Sequence, residues 1–209
     1  MSDDFITAVE RGEYDYLREA LAAGRSPDVI GSVGKSALLV AAERRDATMV
    51  RWLLDHGADV DLYDPRSGVT YPTPFLYAGA EGLDDFLEIM IPHKPDVSIR
   101  NGYGGNALIP AAERGHVSTV RLLLERTSVD VNLVNHLGWT ALLEVTIYGE
   151  DTEAYREIVR LLLESGADAG LADQDGVTPL EHARENRLVG IARLLASDTS
   201  EPTTGAVAP

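Results

Sequence analysis

Residues 36–45 read SALLVAAERR, and variants of that decapeptide recur along the chain. They are TPFLYAGAEG at 73–82, NALIPAAERG at 106–115, TALLEVTIYG at 140–149 and TPLEHARENR at 178–187. Their first residues lie 37, 33, 34 and 38 positions apart, and a weaker copy, DDFITAVERG, begins 33 residues before the first of them. A period in this range signals a stacked array of one supersecondary unit. It predicts a single elongated domain and points the function toward surface recognition.

The unit can be read from its residues. Ser36 has the hydroxyl of a helix N-cap, and Thr73, Asn106, Thr140 and Thr178 hold the equivalent positions. Pro74 and Pro179 follow two of these caps, where a missing N–H costs nothing. Leu38, Ala41 and Ala42 then share one helical face, and the paired alanines let another helix lie close. A break near Arg45–Asp46 leads to a second helix striped by Met49, Val50, Leu53 and Leu54. Second helices are also expected over 16–23, 85–91, 118–126, 155–165 and 189–197. Gly24, Gly57 and Gly166 are their stop residues; Lys94 and Thr127 stand at two other stops, which are expected to close differently.

These residues resemble the ankyrin repeat, which pairs two helices with a β-turn over roughly 33 residues and carries T-P-L-H-x-A. Thr178-Pro179-Leu180-Glu181-His182-Ala183 matches that motif except at its His, and Gly115-His116 matches the family's inter-helix Gly-His. Leu53 to Asp61 (LLDHGADVD) and Leu162 to Asp168 (LLESGAD) look like its second-helix ending. The resemblance implies an all-α solenoid of helix-turn-helix units joined by β-turn or hairpin tips. Its units fall at about 2–34, 35–70, 71–104, 105–138, 139–176 and 177–197, with degenerate caps at both ends and a disordered tail over 198–209.

Bulk composition narrows the function. The 209 residues carry a net charge of −16, which disfavours nucleic acid and anionic membrane as partners and favours a basic patch on a protein. Acidity also keeps a high-surface molecule soluble. With no cysteine, thiolate chemistry and disulfides are excluded. The first residues hold neither a basic region nor an apolar run, and every apolar stretch is broken by charge, so neither a secretory signal nor a membrane span is expected. The expectation is a cytoplasmic monomer.

Departures from the period mark candidate function. Residues 63–72 form a lengthened tip with two tyrosines and an arginine; insertions in solenoids often line the binding face, although added loop residues also cost little. Residues 150–154 lengthen the fifth unit on the opposite edge, where their acids suit the N-terminus of the helix they precede. The third unit is irregular, with Pro92 and Pro95 bracketing its helix end and a Gly-rich tip at 101–105.

In ankyrin arrays the resemblance implies a groove between the tips and the exposed face of the first helices. Carried onto this sequence, it gives Tyr63, Arg66, Tyr71, Tyr103, His136, Trp139, Arg44, Arg114 and Tyr148 as candidate partner-binding residues. Aromatic and Arg side chains are common interface anchors. Tyr103, Trp139 and Tyr148 fall in adjacent units and can cluster, or Trp139 can pack under the next tip. The recurring Glu-Arg pairs (Glu10-Arg11, Glu43-Arg44, Glu113-Arg114) either bind a charged partner or link neighbouring units.

Catalytic signals are weak. His56, His93, His116, His136 and His182 are scattered, no metal-binding or nucleophile-elbow motif occurs, and Gly34-Lys35-Ser36 lacks the upstream Gly of a phosphate loop. The reading is a non-catalytic protein-binding module without cofactor or metal. The alternative is an enzyme or small-ligand protein sited in the groove around His136 and Tyr148.

Overall fold

A computed structural model describes residues 2–64 and 72–198. Within them lie twelve α-helices in six pairs: α1 (Ser2–Arg11) with α2 (Tyr14–Ala22), α3 (Ala37–Glu43) with α4 (Ala47–Asp55), α5 (Pro74–Ala80) with α6 (Asp84–Met90), α7 (Leu108–Glu113) with α8 (Val117–Arg126), α9 (Ala141–Tyr148) with α10 (Glu153–Glu164), and α11 (Pro179–Glu185) with α12 (Val189–Asp198). First helices pack on first helices in the order α1, α3, α5, α7, α9, α11, and the later second helices pack likewise from α4 through α12. Each pair covers its neighbour's apolar face, so one core runs the length of the array.

The first-helix row packs closely because its facing positions are small. Ala41, Ala42, Ala111 and Ala112 are wholly buried. At Gly79 a Cβ would come within 2.7 Å of the Ala107 Cβ, so no side chain fits there unless the helices part. Larger residues fill the space between the rows: Leu38, Met49, Leu53, Leu87, Met90, Leu108, Leu123 and Leu142 are buried. Each contributes about 1.5–3 kcal/mol relative to exposure.

The expected caps form. The side-chain oxygens of Ser36, Thr73 and Thr140 accept from the backbone N–H three residues on, and Thr178 with Glu181 completes a capping box. Asn106 Oδ1 accepts from both Leu108 and Ile109, while its Nδ2 donates to the Asp130 carbonyl in the next turn.

Among the described residues four tips are tight turns, and the one β-bridge pairs Ile30 with Ser36. Four tips share a pattern: the first residue's N–H donates to the carbonyl four residues on, and its own carbonyl accepts from the N–H three residues on. This holds for those starting at Gly31, Asn101, Asn135 and Asp173.

Several local expectations change. The Lys94 end closes through a short 3-10 turn over Ile91–His93 that the glycine ends lack, yet Lys94 itself adopts φ 56°, the left-handed conformation that Gly57 and Gly166 take at φ 86° and 88°. Thr127 does depart, in extended backbone, with its hydroxyl donating to the Leu123 carbonyl. The last helix runs through Asp198, one residue into the expected tail, whose remainder lies outside the described residues.

The acidic stretch at 150–154 serves the helix it precedes only in part, through Glu153 in the first turn of α10. α10 itself takes up Glu153 and Ala154, and Asp151 instead reaches across to the following pair. Its carboxylate accepts from the Gly190 and Ile191 N–H groups at the start of α12 and from Arg156 Nε. The Arg156 hydrogen bond, aided by those two backbone donors, holds the Asp151 carboxyl down to about 2.

Candidate functional site

A groove of about 550 Å³ crosses three consecutive units at the centre of the array. Its floor comes from α5, α7 and α9, and its wall from the tips at 101–105 and 135–139. Tyr103, Trp139 and Tyr148 all line it. Trp139 and Tyr148 meet edge to face, with ring centroids 5.7 Å apart and planes at 71°. Such a pair contributes about 0.5–1.5 kcal/mol beyond burial and holds both rings in place. Tyr148 remains 56% exposed and Tyr103 72% exposed. Trp139 is half-buried, so it neither stands free nor disappears under the next tip.

The remaining candidates separate. Arg114 lines the groove, but its Nη1 donates to Glu81 Oε1 at 2.6 Å and to the Ala80 carbonyl at 2.7 Å, linking α7 to the preceding unit. The His136 ring lies over Gly104 outside the groove, where a Cβ on that glycine would stand 2.5 Å from the ring. Arg44 and Tyr63 are exposed away from the groove lining. Arg66 and Tyr71 lie outside the described residues. Of the recurring Glu-Arg motifs, Arg114 makes a link between units with Glu81, and Glu43 pairs with Lys35 at the foot of its own tip.

A further residue of the groove was hidden in the sequence. Glu144 sits in the middle of α9, only 5% exposed, with its side chain in the lining. Asn135 Nδ2 donates to its Oε1 at 2.9 Å. The tip holds Asn135 in place, because its Oδ1 accepts from the N–H groups of Leu137 and Trp139. Burial, reinforced by the nearby Glu113 carboxylate, pushes Glu144 up to about 7 against the opposing Asn135 hydrogen bond. Burial, and then Glu81 and Glu43, also raise Tyr77 on the same floor. In the aligned units the Glu144 position holds Val40, Tyr77, Pro110 and His182. An acid in the apolar run ALLEVTIY was the available signal.

Among the described residues no group of three or more His, Asp and Glu side chains is placed to hold a metal ion. No described helix is long and apolar enough to cross a membrane.

Comparison with known proteins bears on the same architecture. The profile for ankyrin repeats in three copies matches residues 75–171 and 128–205, and the single ankyrin repeat matches 33–65. The chain belongs to the ankyrin repeat family. It is similar to the ankyrin repeat protein YahD of Escherichia coli K12, at 38% identity over 92% of this chain and 94% of that one. A crystal structure of an ankyrin repeat domain from Acinetobacter baumannii AYE superposes with a TM-score of 0.87 and 40% identity, covering 95% of this chain and 98% of the other. The ankyrin repeat protein EF0377 superposes at 0.84 with 36% identity, covering 92% and 96%. Domains of this family are generally protein-binding modules.

Proposed function

We propose that this ankyrin array binds another protein through the central groove, with Tyr103, Trp139 and Tyr148 as its principal anchors. One observation carries the reading: Tyr103 from one unit and the Trp139–Tyr148 pair from another, distant in sequence, line one depression. Clustered aromatics that stay partly exposed at the edge of a groove are what interface hot spots require. Backbone and Asn side-chain hydrogen bonds already close the two tips that carry Tyr103 and Trp139, which reduces the ordering cost of binding.

The test is affinity purification from the native cell with three baits. These are the wild type, a Tyr103→Ala/Trp139→Ala/Tyr148→Ala variant, and a control changed at the exposed Glu88 and Glu125 of the second-helix row. A partner retained by wild type and control but lost with the triple variant supports the groove, provided circular dichroism shows all three folded. Equal recovery by the triple variant refutes it.

A further inference from the structure

Resting on that reading, we infer that what enters the groove is a cationic side chain, an arginine or lysine of the partner protein, seated between the aromatic rings and the Glu144 carboxylate. Three features of the lining select this chemistry.

The first is sign. Glu81, Glu113 and Glu144 line the groove against a single cation, Arg114, which Glu81 and a backbone carbonyl already engage. The uncompensated charge is negative, inside a molecule whose net charge is −16. A groove with low-dielectric walls concentrates such a potential and attracts cations.

The second is surface. Tyr77, Tyr103, Trp139 and Tyr148 present rings to this space. Aromatic faces attract guanidinium and ammonium groups, most strongly when water is excluded. The aliphatic stem of either side chain also suits apolar neighbours such as Leu76 and Ile109.

The third is Glu144 itself. It is more than nine-tenths buried, and among the described residues its one hydrogen bond is the donation from Asn135 to Oε1. Oε2 is left for an incoming donor. An apolar ligand would leave this acid and Glu113 desolvated beside each other; a cation offsets both.

The charge state of Glu144 makes the idea measurable. Near neutrality the acid is poised about its own midpoint, so a bound cation drives its proton off. Binding therefore strengthens as pH rises from 6 to 8. The groups that could share in this are Glu113 on α7 and Arg114 just after it, Tyr148 on α9, His182 on α11 with its partner Asp173, and Tyr155 on α10, whose hydroxyl donates to the Glu113 carbonyl. The Glu144→Gln variant separates the acid from all of them.

The probes are N-acetyl-arginine amide, N-acetyl-lysine amide and the uncharged N-acetyl-norleucine amide, which keeps lysine's aliphatic stem without its ammonium, titrated into the full chain and followed by the tryptophan indole N–H resonances. The protein has two tryptophans. Trp139 reports on the groove, and Trp52, stacked on His56 in the second-helix row, is the internal control. Saturable shifts of Trp139 alone are expected with at least one cationic probe and not with norleucine. Glu144→Gln should weaken the cation by about tenfold at pH 8 and remove its pH dependence. Norleucine binding as well as the cations, or no Trp139 shift with either cation, overturns the inference. Neither result touches the broader reading, which fails only when the triple aromatic variant keeps the partner.

Discussion

Two consecutive tips build the same cross-link from opposite chemistry. Asn135 and Asp173 hold equivalent positions, and the Oδ1 of each accepts two N–H groups of its own tip. The remaining atom of each then reaches the middle of the following first helix. Asn135 Nδ2 donates to Glu144 at 2.9 Å, and Asp173 Oδ2 meets His182 Nε2 at 2.7 Å. In one unit the tip supplies the donor and the helix the acid; in the next the tip supplies the acid. The frame is common to the repeat, whereas the polarity of the link belongs to the individual unit. What decides the behaviour is where the carboxylate lies: on the tip it is held by two backbone donors, and on the helix it is buried beside a second acid.

The severest way to break this comparison is to make the two tips alike. Asn135→Asp places a carboxyl against Glu144 with no donor between them. A destabilisation of about 3 kcal/mol at pH 8 is expected, since two desolvated acids cannot both ionise. At pH 5 a shared proton restores a hydrogen bond, so the loss in urea unfolding should shrink. A loss of equal size at both pH values would show that the two groups do not face each other as described.

The two links also predict opposite responses to pH. The Glu144 carboxyl is raised from 4.5 to about 7 in the folded state. Its stabilising contribution is complete below about pH 4.5 and declines as pH rises through 7. Glu144→Gln lacks this decline, so relative to wild type it should gain about 2 kcal/mol between pH 4 and pH 8. Asp173 is lowered from 3.8, first by the Val177 N–H and then by His182. Its contribution is present above its unfolded value and disappears as the medium becomes more acid. Asp173→Asn should thus narrow its gap from wild type only below about pH 4. Parallel pH profiles for the two variants would contradict the assignment.

The second-helix row carries its own version of the contrast. Asp46 caps its own helix, accepting from Met49 N–H, whereas Asp151 caps the helix of the next unit. Asp151→Ala should cost about 1–2 kcal/mol and should loosen α12 rather than α10. Hydrogen exchange at Gly190 and Ile191 reads this directly. Because the carboxyl is depressed, the wild-type advantage is held above about pH 4 and fades as pH falls toward 2.

These contrasts also mark how far the repeat could be read in advance. Caps, paired alanines and the leucine stripes are local and recur, so Ser36, Ala41 or Leu53 could be placed by spacing alone. The cluster of Tyr103, Trp139 and Tyr148 was legible because the tips and the exposed faces of the first helices in such an array share one side of the molecule. Links between units were legible only in part: the Glu-Arg motif marked Arg114 as a linking residue, but not Glu81 as its partner. The acids near 150 precede α10, and nothing local shows that Asp151 turns toward Gly190, 39 residues away. Glu144 escaped for another reason: a single acid in a buried helix breaks the pattern, and its purpose is visible only once Asn135 and Glu113 stand beside it. Lys94 was legible only in part: its helix end does differ, by a 3-10 turn, but it still imposes φ 56° on a residue with a Cβ.

The smallest expected effect is a gain, at another pair of equivalent positions. Asp61 and Asn132 each follow a second helix, and each accepts the backbone N–H of an aspartate in the next unit, Asp96 and Asp168, at 2.8 Å. Asn132 does more: its Nδ2 donates to the Gly166 carbonyl at 3.0 Å. Asp61 has no such donor. Its Oδ1 is buried without a partner among the described residues, and burial raises its carboxyl despite the Asp96 hydrogen bond. In register, the carbonyl matching Gly166 is that of Lys94, which shares its left-handed backbone. Asp61→Asn should donate there and remove a charge that lies near Asp59 and Asp96, raising stability by about 1 kcal/mol. Because the acid is disfavoured only when ionised, the gain should be larger at pH 8 than at pH 4. A thermal midpoint unchanged or lowered at pH 8 would mean that the amide found no carbonyl, and that these two inter-unit steps are not equivalent.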